Sequence, residues 1–288
     1  MTTGWRFLLS KRWGGYVALL IVFTIVCVLL AQWQFNRRAD ARAEIARIDG
    51  NYDATPVLLT DALPTLDAYN DEDQKWSTVE ITGHYLSDDQ VLVRNRPLNG
   101  SPGFEVLVPF QLANGNVFVI DRGWLPTGSS NGAEKNAPDV VPEAPTGTVE
   151  VIARLKAGEP TLPGRRSVDG QIATIHLPDM ATRIGLPTYT EAYGLLVSEN
   201  PAPKTAPTLA PKPERDEGPH LSYALQWYVF AVMGFIGLGY GARQEYRQVN
   251  VSDLREQERA RIRDDKKSRR RKSDADIEDA LLDSSQTH

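Results

Sequence analysis

Four histidines stand in this sequence, His84, His176, His220 and His288, and no two share the His-x-x-x-His spacing of a helix-borne metal site. There is no Cys-x-x-Cys pair and no glycine-rich phosphate loop between a strand and a helix. Carboxylates are numerous but scattered, so a hydrolase would have to bring its acid and base together from distant positions. Groups able to do chemistry gather in three short clusters instead. Gln32-Trp33-Gln34 with Arg37 and Arg38 closes the first long apolar run. Asp121-Arg122-Gly123-Trp124-Leu125-Pro126 ends an apolar, β-branched run with a charged pair, a glycine and a tryptophan. His220-Leu221-Ser222-Tyr223-Ala224-Leu225-Gln226-Trp227 opens the second long apolar run. On a helix, His220 lies three residues from Tyr223, and Tyr223 four from Trp227, which makes one face polar and aromatic. Each cluster has a plain structural reading beside the functional one. The first and third can be interfacial anchors, and the second can be an Arg–Asp pair at a strand end.

The elements that must position these groups begin with the two apolar runs. Trp13 to Asn36 and Leu221 to Ala242 hold no charged residue. As helices they span roughly 36 and 33 Å, against a hydrocarbon core of about 30 Å. Trp13, Tyr16, Trp33, Tyr223, Trp227, Tyr228 and Tyr240 place aromatic rings near their ends, at headgroup level. The first run is too long for a signal-peptide core and has no small-x-small cleavage site. Arg6, Lys11 and Arg12 precede it without an acid, and Arg243 and Arg247 follow the second. That asymmetry places both termini in the cytoplasm of a cell-membrane protein, with the middle section outside. The formal net charge of −5 and pI near 5.5 exclude a general nucleic-acid binder. Cys27 is the single cysteine and lies within the first run, so the outer section has no disulfide framework.

The expected organisation is a cytoplasmic N-terminus (1–12), a first transmembrane helix (13–36), a β-rich domain (37–198), a Pro-rich linker (199–219), a second transmembrane helix (220–242) and a charged cytoplasmic tail (243–288) without an apolar stripe, largely disordered. Beyond Arg37 an Ala-rich, charge-alternating stretch predicts continued helix to Asp49, with Gly50 as the stop. Strands are predicted at Trp76–Tyr85, Val91–Val93, Phe104–Leu112, Val117–Asp121, Thr148–Leu155, Ile172–His176 and Gly194–Val197, with one helix at Pro178–Gly185. The Asn114-Gly115 pair marks a hairpin. Thr127 to Gly147 reads as an exposed loop, and six prolines between Glu199 and Pro219 read as an extended spacer. The fold class is a membrane α+β protein: two transmembrane helices bracketing an extracytoplasmic, antiparallel, barrel-like β domain.

Taken in order, these pieces resemble the Surfeit locus protein 1 family of cytochrome c oxidase assembly factors. The resemblance covers roughly residues 13 to 245. It is carried by Trp33-Gln34 with Arg37, Val79-x-Ile81-x-Gly83-x-Tyr85, Arg94-Asn95-Arg96, Pro102-Gly103-Phe104, Pro109-Phe110, the Asp121-to-Pro126 cluster and His220-x-x-Tyr223-x-x-Gln226-Trp227. It implies a non-catalytic role in building the haem-copper oxidase, through delivery or insertion of haem a into the catalytic subunit. The partners would be that subunit or other assembly factors, together with the membrane. His220 matches the family's histidine at the second span, and a neutral imidazole is a common axial ligand of haem iron. The implied transient haem site is His220 with Tyr223, Trp227, Gln32 and Trp33. Arg94, Arg96, Asp121, Arg122, Gly123 and Trp124 would serve a partner or the fold. Two other readings remain open: a subunit stably bound to the oxidase or its supercomplex, and a membrane-anchored envelope enzyme.

Overall fold

The computed structural model describes residues 4–128, 137–165, 170–251, 254 and 257–268. Helix α1 runs Lys11–Asn51, so the apolar run and the charged stretch form one helix that ends a residue past Gly50. The remaining elements are β1 (Val57–Leu58), α2 (Leu59–Ala62), α3 (Asp71–Gln74), β2 (Thr78–Tyr85), β3 (Val91–Val93), β4 (Gly103–Leu112), β5 (Val117–Pro126), β6 (Val149–Ala157), β7 (Gln171–Ile172), α4 (Leu177–Ile184), β8 (Ala192–Asn200) and α5 (His220–Val249). The chain divides into two compact units, residues 40–217 and the two terminal segments.

In the first unit, strands β2, β6, β8, β5 and β4 are paired in that order, and β4 returns to pair with β2. The sheet is therefore a closed five-stranded ring. β2–β6, β6–β8, β4–β5 and β2–β4 are antiparallel, as expected. The β5–β8 junction is parallel, because the chain between them passes through β6, β7 and α4 before returning. The short edge pairs β1–β2 and β3–β7 are parallel as well. Closure depends on Gly83, which faces Leu112 on β4 and Val149 on β6. A Cβ at Gly83 would lie 2.0 Å from the Gln111 carbonyl oxygen, so only glycine lets both neighbours approach.

Two apolar layers follow from strand alternation. Inside the ring lie Val79, Ile81, Tyr85, Val106, Val108, Phe110, Phe118, Ile120, Val151 and Leu155, with Leu59, Leu63 and Tyr189 joining them. Outside it, Leu107, Val119, Tyr193 and Leu195 are covered by Ile48 and Tyr52 of α1, Val91 and Val93 of β3, and Leu177 and Met180 of α4. Burial on both faces explains why β4 reads as an unbroken apolar run, Val106 to Phe110. The α1 extension is held by Glu44, which accepts from Trp76 Nε1 at 2.8 Å and meets Lys75 at 2.9 Å. Burial works against the Glu44 carboxylate, but its hydrogen bonds from Lys75, Trp76 and Arg47 prevail and hold its pKa down to about 2.

Several local expectations hold, and others are modified. The Asn114-Gly115 hairpin forms, with Asn116 N–H donating to the Asn114 side chain at 2.9 Å. The strand expected at Ile172–His176 stops at Ile172, because Ile175 N–H turns to donate to Glu159 and Pro178 starts α4. In the expected 127–147 loop, residues 129–136 lie outside the described residues. Its far end is no free loop: Ala144 is buried and the Pro142 carbonyl accepts from Arg122 at 3.1 Å. Nor is the Pro-rich stretch a bare spacer. Thr208 exchanges two backbone hydrogen bonds with Trp124, and Lys212 and Arg215 pair with Asp53 and Asp49 at 2.6 and 2.7 Å. The tail from 269 onward lies outside the described residues.

In the second unit, α1 and α5 lie antiparallel. The less exposed positions include Trp13, Leu20, Thr24, Cys27, Ala31 and Gln34 on α1, and His220, Ala224, Trp227, Ala231, Gly234 and Leu238 on α5. Steps of three, four and seven residues give each helix one seam, and the small residues Ala31, Ala224, Ala231 and Gly234 bring the backbones close. The outward positions remain apolar, among them Leu19, Val22, Phe23, Val229, Val232 and Phe235. Both helices are long and apolar enough to cross a membrane, and the protein is a membrane protein. At one end Glu245 takes Arg12 in an ion pair and accepts Trp13 Nε1 at 3.0 Å. Trp5 stacks on Tyr246 at the same end, with centroids 4.4 Å apart.

A Gly83→Val substitution puts its Cβ against the Gln111 backbone oxygen and should cost about 3 kcal/mol. Urea unfolding of the full-length protein in detergent checks this, with Gly50→Ala, a position open to solvent, expected to behave like wild type.

Candidate functional site

Arg122 and Asp121 are adjacent on β5, so strand alternation sends them to opposite layers. Arg122 points into the ring and is fully buried. Its Nη2 donates to Glu199 Oε1 at 2.7 Å, and its guanidinium lies over the Tyr85 ring, 5.4 Å from the centroid. Tyr85 in turn donates its hydroxyl to Glu199 Oε2 at 2.7 Å. Burial, followed by that hydrogen bond to Glu199, pushes the Tyr85 phenol above its ordinary pKa. Every strong donor in the group points at Glu199 or a backbone carbonyl, so this is a saturated internal network.

Asp121 points outward and is only 2 % exposed. Its carboxylate accepts Gly123 N–H at 2.9 Å. Nearby, Arg96 Nε lies 2.9 Å from Glu105 Oε2, and Arg96 Nη2 pairs with Glu159. Burial first, and then repulsion from Glu105, pushes the Asp121 carboxyl up to about 7. Burial also raises Glu105. Glu159 goes the other way: burial opposes its charge, but hydrogen bonds from Arg96 and Ile175 N–H outweigh that and lower its pKa. Trp124 Nε1 donates to the Arg96 carbonyl at 2.6 Å, fastening β5 to the turn after β3. Gly123, with φ +126°, leaves room for the Thr208 carbonyl, which a Cβ there would approach to 2.5 Å. Arg94 carries the β3–β7 pairing onward, its N–H donating to Ile172 at 3.1 Å. Arg96, Asp121, Arg122, Gly123 and Trp124 thus hold the domain together.

The membrane-edge cluster lies within the helix pair. His220 is the first residue of α5, behind Pro219. Its Nδ1 lies 2.9 Å from Gln34 Oε1 on α1. Gly218, at φ +68°, stands beside the other edge of the ring, where a Cβ would come within 3.2 Å of Nε2. Among the described residues no hydrogen bond is recorded to Nε2. Of the sequence-derived set, His220 and Trp227 share the inner face of α5, and Trp227 packs edge-on against Phe230 at 5.7 Å. Tyr223 is 49 % exposed and Trp33 is 55 % exposed, both on outward faces. Gln32 donates to Asn36 at 3.0 Å along its own helix. The partner of His220 is therefore Gln34, the neighbour of the two residues expected there. The three-four rhythm of the α1 seam, running through Cys27, Ala31 and Gln34, was the available signal. Glu199 and Tyr85 were harder to find. Glu199 looks like the start of the Pro-rich stretch, and nothing local marks it as the counter-charge of a residue 77 positions away.

A membrane α+β protein, with two apolar helices flanking a closed mixed β-barrel, is the class that fold and clusters define. The sequence profile of the SURF1 family matches residues 21–232, and the chain belongs to that family. Uncharacterized SURF1-like proteins of Mycobacterium bovis and Mycobacterium tuberculosis are 34 % identical over 247 residues, covering 84 % of this chain and 87 % of theirs. The cytochrome oxidase assembly protein SHY1 of Saccharomyces cerevisiae is 29 % identical over 133 residues, 45 % of this chain and 32 % of its own.

Two measurements check the buried charges. Arg122→Leu or Glu199→Gln alone should destabilise the full-length protein by about 3–5 kcal/mol, while Arg122→Met with Glu199→Leu should cost clearly less than the two single losses combined. Unfolding midpoints in detergent decide this. Asp121 binds its proton more tightly folded than unfolded, so its contribution to stability is complete below pH 4 and is lost as pH rises towards 7. Asp121→Asn, which keeps an acceptor for Gly123, should flatten stability between pH 4 and 8.

Proposed function

We propose that this protein is a non-catalytic assembly factor for a haem-copper cytochrome c oxidase, aiding delivery or insertion of haem a into the catalytic subunit. Family membership and the yeast relative named as a cytochrome oxidase assembly protein support the assembly role. The observation that carries the haem reading is the His220 ring at the start of α5, with Nδ1 engaged by Gln34 and Nε2 beside a glycine. That arrangement fits an axial ligand: one ring nitrogen is oriented by a neighbour, and the other offers its lone pair to iron. Bound haem would supply the redox-active group being handed on. The chain's own residues hold and release it, with Trp227 on the same helix face as His220, while Tyr223, Gln32 and Trp33 point away from the ring. Arg96 and Arg122 are occupied by internal carboxylates, which favours the fold-supporting role for them.

The partners in this reading are the oxidase catalytic subunit or other assembly factors, met within the cell membrane. The basic residues Arg6, Lys11, Arg12, Arg243 and Arg247 favour cytoplasmic termini and an extracytoplasmic barrel. Deleting the gene should remove the haem a signal from reduced-minus-oxidised spectra of the membranes and spare the other cytochromes. Wild-type protein should restore the signal and His220→Ala should not. An unchanged spectrum in the deletion strain would overturn the assembly role, and full rescue by His220→Ala would overturn the haem site.

A further inference from the structure

Gln34 is the residue on α1 that reaches the His220 ring, and its amide oxygen faces Nδ1 at 2.9 Å. An amide oxygen only accepts, so this contact requires a proton on Nδ1. A neutral imidazole carries one proton, and placing it on Nδ1 leaves the lone pair on Nε2. We propose that Gln34 is a positioning residue which locks His220 in the Nδ1–H tautomer and so makes Nε2 the nitrogen that meets a metal centre. This rests on the haem reading for the identity of the metal, while the tautomer itself is a property of the protein alone.

The helix geometry supports a dedicated role. Gln34 continues the α1 seam of Cys27 and Ala31, and His220 begins the α5 seam of Ala224 and Trp227. The bond is thus fixed by the same close packing that pairs the helices, with Ala31 and Ala224 buried beside it. Gln32 faces elsewhere and is engaged by Asn36, so it cannot substitute. Gly218 completes the arrangement by keeping a side chain away from Nε2. An imidazole that donates from one nitrogen becomes a stronger ligand at the other, and loss of such an outer partner typically weakens metal binding about 10–100-fold.

Two readouts test this on the full-length protein in detergent micelles. The first uses 15N-labelled histidine without haem, with His220→Ala to assign the signal. Wild-type His220 should show a protonated Nδ1 and an unprotonated Nε2, and Gln34→Leu should convert it to the Nε2–H form or a mixture. The second is titration with haem a, followed by its spectrum and reduction potential. Gln34→Leu should weaken binding about tenfold or more. Gln34→Glu keeps an acceptor and should restore binding, with a potential lower than wild type. A role limited to helix pairing would give neither the tautomer change nor the rescue. An Nε2–H tautomer in the wild type, or Gln34→Leu matching wild type in both readouts, would overturn the proposal. Haem binding unaffected by His220→Ala would instead sink the haem reading and leave the tautomer result standing on its own.

Discussion

The closed ring of this domain depends on three residue pairs between β2 and β4, the first of them at Gly83, a glycine that has a strand on each side. Five strands enclose little space. Small barrels fill with side chains, and here Phe110, Phe118, Tyr85 and a set of aliphatic residues occupy the interior. The barrel is a packed core, and its useful surfaces are on the outside. Closure also removes the two long sheet edges that an open five-stranded sheet would present, leaving short additions such as β1 and β7 at the margins.

The same geometry decides how the buried charges are arranged. Arg122 and Asp121 are neighbours in sequence but belong to different layers, and each layer treats its charge differently. The interior neutralises Arg122 with one carboxylate, Glu199, which also accepts from the Tyr85 hydroxyl, and gives it a backbone carbonyl from Pro142. The outer layer gathers Asp121, Glu105 and Glu159 around Arg96, and burial with mutual repulsion raises the carboxyls of Asp121 and Glu105. A slip of one residue in β5 would exchange these environments, taking the cation away from buried Glu199 and bringing a second carboxyl beside it. The pair therefore fixes register as well as occupying space.

The helix pair uses polar contacts at its ends and small residues between them. Glu245 with Arg12 and Trp13 closes one end, and Gln34 with His220 closes the other. In lipid there is little hydrophobic drive for helices to associate, so close packing at Ala31, Ala224, Ala231 and Gly234 and hydrogen bonds at the margins set the alignment. That alignment is what gives one histidine an oriented ring at a membrane boundary. It is also why the functional proposal rests on this pair of helices and not on the barrel.

The sequence by itself determined the elements whose physics is local. Uninterrupted apolar runs of helical length gave the two spans, alternation and Asn-Gly gave strands and a hairpin, and Pro178 with Gly185 gave α4. His220 stood out through the His220-x-x-Tyr223-x-x-Gln226-Trp227 pattern that opens the second apolar run. Only the tertiary structure decided which groups meet across long separations: Glu199 with Arg122, Gln34 with His220, Thr208 with Trp124. Periodicity tells which face a residue takes on its own strand or helix, but it carries no information about which other element covers that face. Gly83 was legible as part of a strand, yet its need to be glycine arises only from β4 passing on its other side. The Pro-rich stretch looked like a spacer because its composition forbids regular structure. Its docking depends on single backbone and ion-pair contacts that composition does not encode.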